Sequence, residues 1–190
     1  MRKIPLALGT LLCAAAVYAA PPAEANAGTN WEAAVTSEMP LLGHRNWILI
    51  VDSAYPLQVT PGIQTIETGE PMLAVAHFVL GAVKQSIHVR SDIFMDAELP
   101  FVPDQDAPGT SAYRRSIGNL LRGYTVVSEP HEKLLSQIAE AGTSVRILVL
   151  KTNSTIPYSS IFIRLNCKYW SDDAEQRLRA RMAAGPSGDR

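Results

Sequence analysis

The sequence predicts an α/β layered fold, and three observations carry that expectation. Strand-like and helix-like segments alternate along the chain, the run Trp47-Ile-Leu-Ile-Val51 is apolar throughout, and a proline-opened apolar helix follows it. An uninterrupted apolar run of this length belongs to a strand covered on both faces, as in a parallel sheet. The chain is 190 residues long with 47% hydrophobic and 18% charged residues, which fits one domain with a substantial core and excludes a disordered chain.

The elements follow in order. Trp31 to Leu42 reads as a short amphipathic helix that Gly43 ends. Trp47–Val51 is the first strand, with Asp52 at its carboxyl end. Gly69-Glu70-Pro71 opens a helix whose proline occupies a tolerated first-turn position, and Met72 to Val83 supplies its apolar body. Ile87 to Met95 is a second strand, interrupted by Ser91-Asp92. Leu99 to Gly109, rich in Pro and Asp, is a loop of the length that often lines sites. Ser111 to Arg122 is helical, Tyr124 to Ser128 a third strand, and Pro130 to Ala141 a helix with Gly142 behind it. Val145 to Leu150 and Ile161 to Leu165 are the remaining strands, and Asp172 to Ala183 is a charged peripheral helix.

The amino-terminal segment stands apart from this domain. Arg2 and Lys3 form a charged start, Ile4 to Val17 an apolar stretch, and Ala23-Glu24-Ala25 and Ala25-Asn26-Ala27 are small-x-small cleavage sites. Residues 1–27 are therefore expected to be a secretory signal peptide, and the protein to be exported, periplasmic or extracellular. The apolar core is too short for a comfortable membrane span, and no span is expected after cleavage. Of the two cysteines, Cys13 lies inside the leader, so the exported chain keeps Cys167 alone and forms no internal disulfide. The net charge of −1 and the lack of a long basic run exclude sequence-independent nucleic-acid binding.

Candidate chemistry begins with the four histidines, because imidazole is the usual acid/base near neutral pH. His44 precedes the first strand and Asp52 follows it. A five-residue strand spans roughly 17 Å, so within one chain the two stand at opposite ends and share a site only through an oligomer or a folded-back loop. A surface histidine and a turn-forming carboxylate are the plainer readings of the same pair. Asp52 gains interest because open α/β sheets bind ligands beyond the carboxyl ends of their strands. His77 lies in the apolar helix and His88 on the second strand, and neither pairs with another ligand at a metal spacing, so no metal site is expected. His131 sits in the first turn of a helix, where the positive helix end favours a neutral imidazole. Lys151 to Ser160 is a hydroxyl-rich loop with one aromatic, Tyr158, suited to a sugar or simply to a turn. Nucleophile-elbow, dinucleotide and phosphate-loop patterns are absent.

Taken together, several short motifs resemble the D-ribose pyranase and L-fucose mutarotase family (RbsD/FucU). They are Leu42-Gly43-His44, the strand ending in Asp52, Pro56, Gly69-x-Pro71 with its helix ending Leu80-Gly81-x-Val83, His131-Glu132, and Lys151-Thr152 with Pro157-Tyr158. The match runs in order from about Trp31 to Leu165. The resemblance implies a three-layer α/β/α fold with a mainly parallel sheet over residues 28–167, leaving residues 168–190 as a C-terminal extension. It further implies a ring-shaped homo-oligomer with sites at subunit interfaces, which would let His44 meet a neighbour's pocket. It assigns His44 as the catalytic histidine and Asp52, His131 and Tyr158 as sugar contacts. Ser160 stands where the family has a sugar-binding asparagine, and Ser154 replaces an acidic residue. Serine cannot offer the same paired donor and acceptor as asparagine. The expected activity is cofactor-free isomerisation of a ribose- or fucose-like monosaccharide, with a catalytically silent sugar binder or a ring-forming structural protein as alternatives.

Overall fold

The computed structural model describes residues 30–185; the expected signal peptide, its cleavage sites and Cys13 lie outside them. The chain runs α1 (Trp31–Glu38), β1 (Trp47–Val51), β2 (Ile63–Glu67), α2 (Met72–Gln85), β3 (Val89–Asp96), a 3₁₀ turn (Leu99–Phe101), α3 (Thr110–Leu120), β4 (Val126–Glu129), α4 (His131–Ala141), β5 (Ile147–Lys151), β6 (Ile161–Cys167) and α5 (Asp172–Ala184).

The six strands form one sheet in the order β2-β5-β1-β6-β3-β4. The β2–β5, β1–β5 and β3–β4 pairs are parallel, and β6 is antiparallel to both neighbours, β1 and β3. Five strands therefore point one way, and β6 alone is inverted. Side-chain alternation divides the core between the two faces. Ile48 and Ile50 of β1 join Leu148, Leu150, Ile161 and Ile163 beneath α1, α2 and α3. Trp47, Leu49 and Val51 turn the other way, with Ile147, Val149 and Phe162, against Leu134 and Ile138 of α4. This is the three-layer α/β/α arrangement that the resemblance implies, with all five residues of β1 buried.

Several boundaries differ from the sequence expectation. Helix α1 stops at Glu38 rather than Leu42, because Pro40 has no N–H with which to continue it. Its start is fixed by Asn30, whose Oδ1 accepts the Ala33 N–H at 3.0 Å. Strand β2 was not expected at all. It is an edge strand in which only Ile63 and Ile66 are buried, so it lacks the continuous apolar signal of β1. At the opposite edge, β4 starts two residues later and ends one residue later than Tyr124–Ser128, and it leaves Val126 and Val127 exposed. The Leu99–Gly109 segment is ordered by its own contacts. Arg114 donates to the carbonyls of Leu99, Pro100 and Val102, and Asp104 accepts from the Gly109 and Ser111 N–H groups. Helix α5 buries no residue and is tied back by the Arg90–Asp172 ion pair. No described helix is long and apolar enough to cross a membrane.

Candidate functional site

A cavity of about 470 Å³ opens beyond the carboxyl ends of the parallel strands, lined among others by Asp52, Tyr55, His131, Leu135, Ile156 and Tyr158. Its size lies within the range of small-molecule sites, and its position is where open α/β sheets bind ligands. Asp52 leaves the end of β1, His131 opens α4 directly after β4, and Tyr158 lies on the β5–β6 connection. Thr152 fixes the exits of β1 and β5 side by side, its hydroxyl donating to the Val51 carbonyl at 2.8 Å.

Asp52 is held by short-range bonds. The Ala54 N–H donates to Oδ1 at 2.8 Å, closing a turn, and the Ser160 hydroxyl lies 3.4 Å from Oδ2. Ser160 is buried and does not line the cavity. Its hydroxyl therefore orients Asp52 from behind. Tyr158 adopts a φ of 56°, a conformation costly for a bulky residue. That backbone turns its ring edge-on to the His131 ring, with centroids 5.4 Å apart. Ser154 supports the same loop, its carbonyl accepting the Ser53 N–H at 2.8 Å.

Behind His131 stands Asp96, the last residue of β3, 2% exposed, with Oδ1 3.0 Å from His131 Nδ1. The backbone N–H of His131 donates to the Glu98 carboxylate. Burial pushes the Asp96 carboxyl above the usual range. The His131 hydrogen bond and charge oppose that rise, and the carboxylates of Glu98 and Asp52 add to it. Folding therefore binds the Asp96 proton more tightly than the unfolded chain does, a contribution to stability that is full below the ordinary value of 3.8 and is lost as pH rises through the raised one. Tyr55 is also buried, and its hydroxyl has no hydrogen-bond partner. Burial raises its pKa, as do the charges of Asp96 and Asp52. Gln58, near enough to favour the phenolate somewhat, does not meet the hydroxyl in bonding geometry.

The loop rests on Tyr113 of α3, whose hydroxyl donates to the Ser159 carbonyl at 2.6 Å within the core. Burial holds that phenol protonated far above its ordinary value. Tyr113→Phe leaves the carbonyl without this donor, so chemical denaturation should show a loss of about 1–3 kcal/mol.

The structure thus brings together Asp52, His131 and Tyr158, with Ser160 behind them. It does not bring His44 to them. His44 is exposed at the opposite end of β1, its Nδ1 3.0 Å from Asn166 Oδ1, beside Arg45 at φ 75°. His88 is structural, its Nε2 meeting the Leu42 carbonyl at 2.9 Å and its Nδ1 the Ser86 hydroxyl. His77 is exposed on α2 and lines a separate groove beside α1. Among the described residues, no three His, Cys, Asp or Glu side chains converge as a metal would require. Sequence reasoning missed Asp96 and Tyr55. Asp96 carries the signal that singled out Asp52, a carboxylate directly after an apolar run, here Ile93-Phe-Met95.

Fold and cavity define an α/β protein with a cavity of small-molecule size at the carboxyl edge of a mainly parallel sheet. No family model matches the chain, and no curated protein matches it in sequence. Among solved structures, Bacillus subtilis RbsD complexed with D-ribose superposes with a TM-score of 0.50 at 14% identity, over 69% of this chain and 89% of that one. FucU from Bifidobacterium longum gives 0.49 at 12% identity, over 70% and 92%. The fucose mutarotase from Streptococcus pneumoniae in complex with L-fucose gives 0.42 at 19%, over 67% and 87%. The chain has an RbsD-like fold.

Proposed function

We propose that the protein is an exported monosaccharide mutarotase or pyranase, opening and reclosing the sugar ring without a cofactor. The observation that supports this most is the convergence of Asp52, His131 and Tyr158 on one cavity of an RbsD-like fold. Carboxylate, imidazole and phenol are the groups that read sugar hydroxyls, and an aromatic ring offers a face for the sugar's C–H surface. Ring opening takes a proton from the anomeric hydroxyl, breaks the bond between the anomeric carbon and the ring oxygen, and delivers a proton to that oxygen. Reclosure on the other face or by another hydroxyl yields a new anomer or ring size.

In this reading Asp52 and His131 hold sugar hydroxyls, Tyr158 packs on the ring, and Ser160 steadies Asp52. His44 takes part by reaching the cavity of a neighbouring copy in a ring-shaped oligomer, since β1 separates it from the cavity of its own chain. Magnetisation-exchange NMR on D-ribose and L-fucose tests the activity, with light scattering for the oligomer. Asp52→Ala should raise KM about 10- to 100-fold, the loss of a hydrogen bond to a charged group. His44→Ala should slow exchange in the assembled protein and leave folding intact. A second reading, a sugar binder without catalysis, is favoured by Ser160, whose hydroxyl is turned to Asp52 rather than to the cavity. Sugar binding without accelerated exchange would select it.

A further inference from the structure

We infer that His131 is the catalytic acid/base of the cavity and that Asp96 is its positioning residue, so that one chain carries its own proton-transfer group. This rests on the sugar-ring reading above and assigns His131 a role beyond contact. The geometry begins with the buried end of β3. With Asp96 ionised, 2% exposed and one of its oxygens 3.0 Å from His131 Nδ1, the carboxylate can only accept, so the imidazole carries its proton on that nitrogen. The other nitrogen, Nε2, is left with its lone pair. Because His131 lines the cavity while Asp96 lies behind it, the basic nitrogen belongs to the open side of the ring.

Two further contacts hold the residue in place. The Glu98 carboxylate fixes the His131 backbone N–H, and the Tyr158 ring packs at right angles to the imidazole on the cavity side. The arrangement has the parts of an acid/base pair: an imidazole oriented by a carboxylate that is not itself presented to substrate. The charged and titratable groups acting on Asp96 are His131 from α4, Glu98 just beyond β3 and Asp52 beyond β1. Its own charge in turn reaches Tyr55 after β1 and Tyr113 of α3. The second oxygen of Asp96 has no partner, so His131 is the contact through which this carboxylate acts.

The step balances with this single imidazole. Nε2 takes the proton of the anomeric hydroxyl. The O–H electron pair becomes the second bond of the new carbonyl, and the bond from anomeric carbon to ring oxygen breaks with its pair on the ring oxygen. Both oxygens are attached to the same carbon, so the Nε2–H so formed delivers its proton to the ring oxygen, giving the open hydroxy-aldehyde and the original imidazole. Closure is the reverse. No external oxidant, reductant or cofactor is consumed.

The test combines kinetics with the histidine's own spectrum. In magnetisation-exchange NMR on D-ribose and L-fucose, His131→Gln should lower kcat about 10²–10⁴-fold, the usual contribution of a positioned acid/base. Asp96→Asn should lower kcat with KM little changed and move the acidic limb of the pH–rate profile. In ¹⁵N-labelled protein, His131 should be the Nδ1–H tautomer at neutral pH and should lose that bias in Asp96→Asn. Full activity in His131→Gln beside an inactive His44→Ala would overturn the assignment, as would an Nε2–H tautomer in the unaltered protein. Should the unaltered protein accelerate no sugar, the sugar reading fails and the catalytic role with it. An Nδ1–H spectrum would then show the Asp96–His131 pairing standing alone. Circular dichroism of each variant separates loss of fold from loss of chemistry.

Discussion

Phe162→Ala is expected to cost about 3–5 kcal/mol, a large share of the roughly 5–15 kcal/mol that holds a domain of this size together. Phe162 is fully buried in β6, paired in register with Leu49 of β1 on one side and Phe94 of β3 on the other. Leu134 and Ile138 of α4 belong to the same cluster. Truncation removes the ring where three strands and a helix meet, and the paired backbones on both sides keep the site from collapsing to fill the space. Urea denaturation should show a lower midpoint with an unchanged slope. The loss should also reach the cavity, because α4 begins at His131. A variant less than about 1 kcal/mol below the parent would contradict this account of the core.

Gly62→Ala is expected to destabilise by at least the 1–3 kcal/mol typical of overpacking. A Cβ on Gly62 would run into the carbonyl oxygen of Gly142 and lie 2.7 Å from that of Val145, both backbone atoms that cannot swing aside. The Gly62 carbonyl also accepts the Ile147 N–H at 2.9 Å, so retreat would pull apart the start of the β2–β5 pairing. Gly142→Ala is the informative control. Its Cβ would meet chiefly the side chain of Ile63, which can change rotamer, so thermal unfolding should place it between the parent and Gly62→Ala.

What could be read from the sequence follows how each element is buried. β1 was plain because both of its faces are covered, which forces five apolar residues in a row. β2 was hidden because an edge strand needs only Ile63 and Ile66 to anchor it, and Gln64 and Thr65 read as loop. The reversal of β6 carries no local mark either: Ile161-Phe-Ile suits a parallel or an antiparallel partner equally well. At the site, Asp52, His131 and Tyr158 were individually visible, yet their meeting depends on strand order and not on spacing. Asp96 has no separate mark because the apolar run that reads as strand stops at Met95, one residue short of the true end of β3. Tyr55 was missed for a different reason. A tyrosine beside a proline has no pattern of its own, and only burial beside two carboxylates makes its hydroxyl chemically distinct.

The inverted central strand also bears on how the protein is made. β1 and β3 do not pair with each other; each is joined to the sheet's other half only through β6. A growing chain that has reached Lys151 can assemble β2-β5-β1 as one unit and β3-β4 as another, with α2 packed on both β1 and β3 but no backbone pairing between the two units. Asp52 belongs to the first unit, and Asp96 and His131 to the second. Domains emerge and fold from the amino terminus during synthesis, so the sheet beneath the cavity becomes one hydrogen-bonded surface only when residues 161–167 have left the ribosome and paired with both halves.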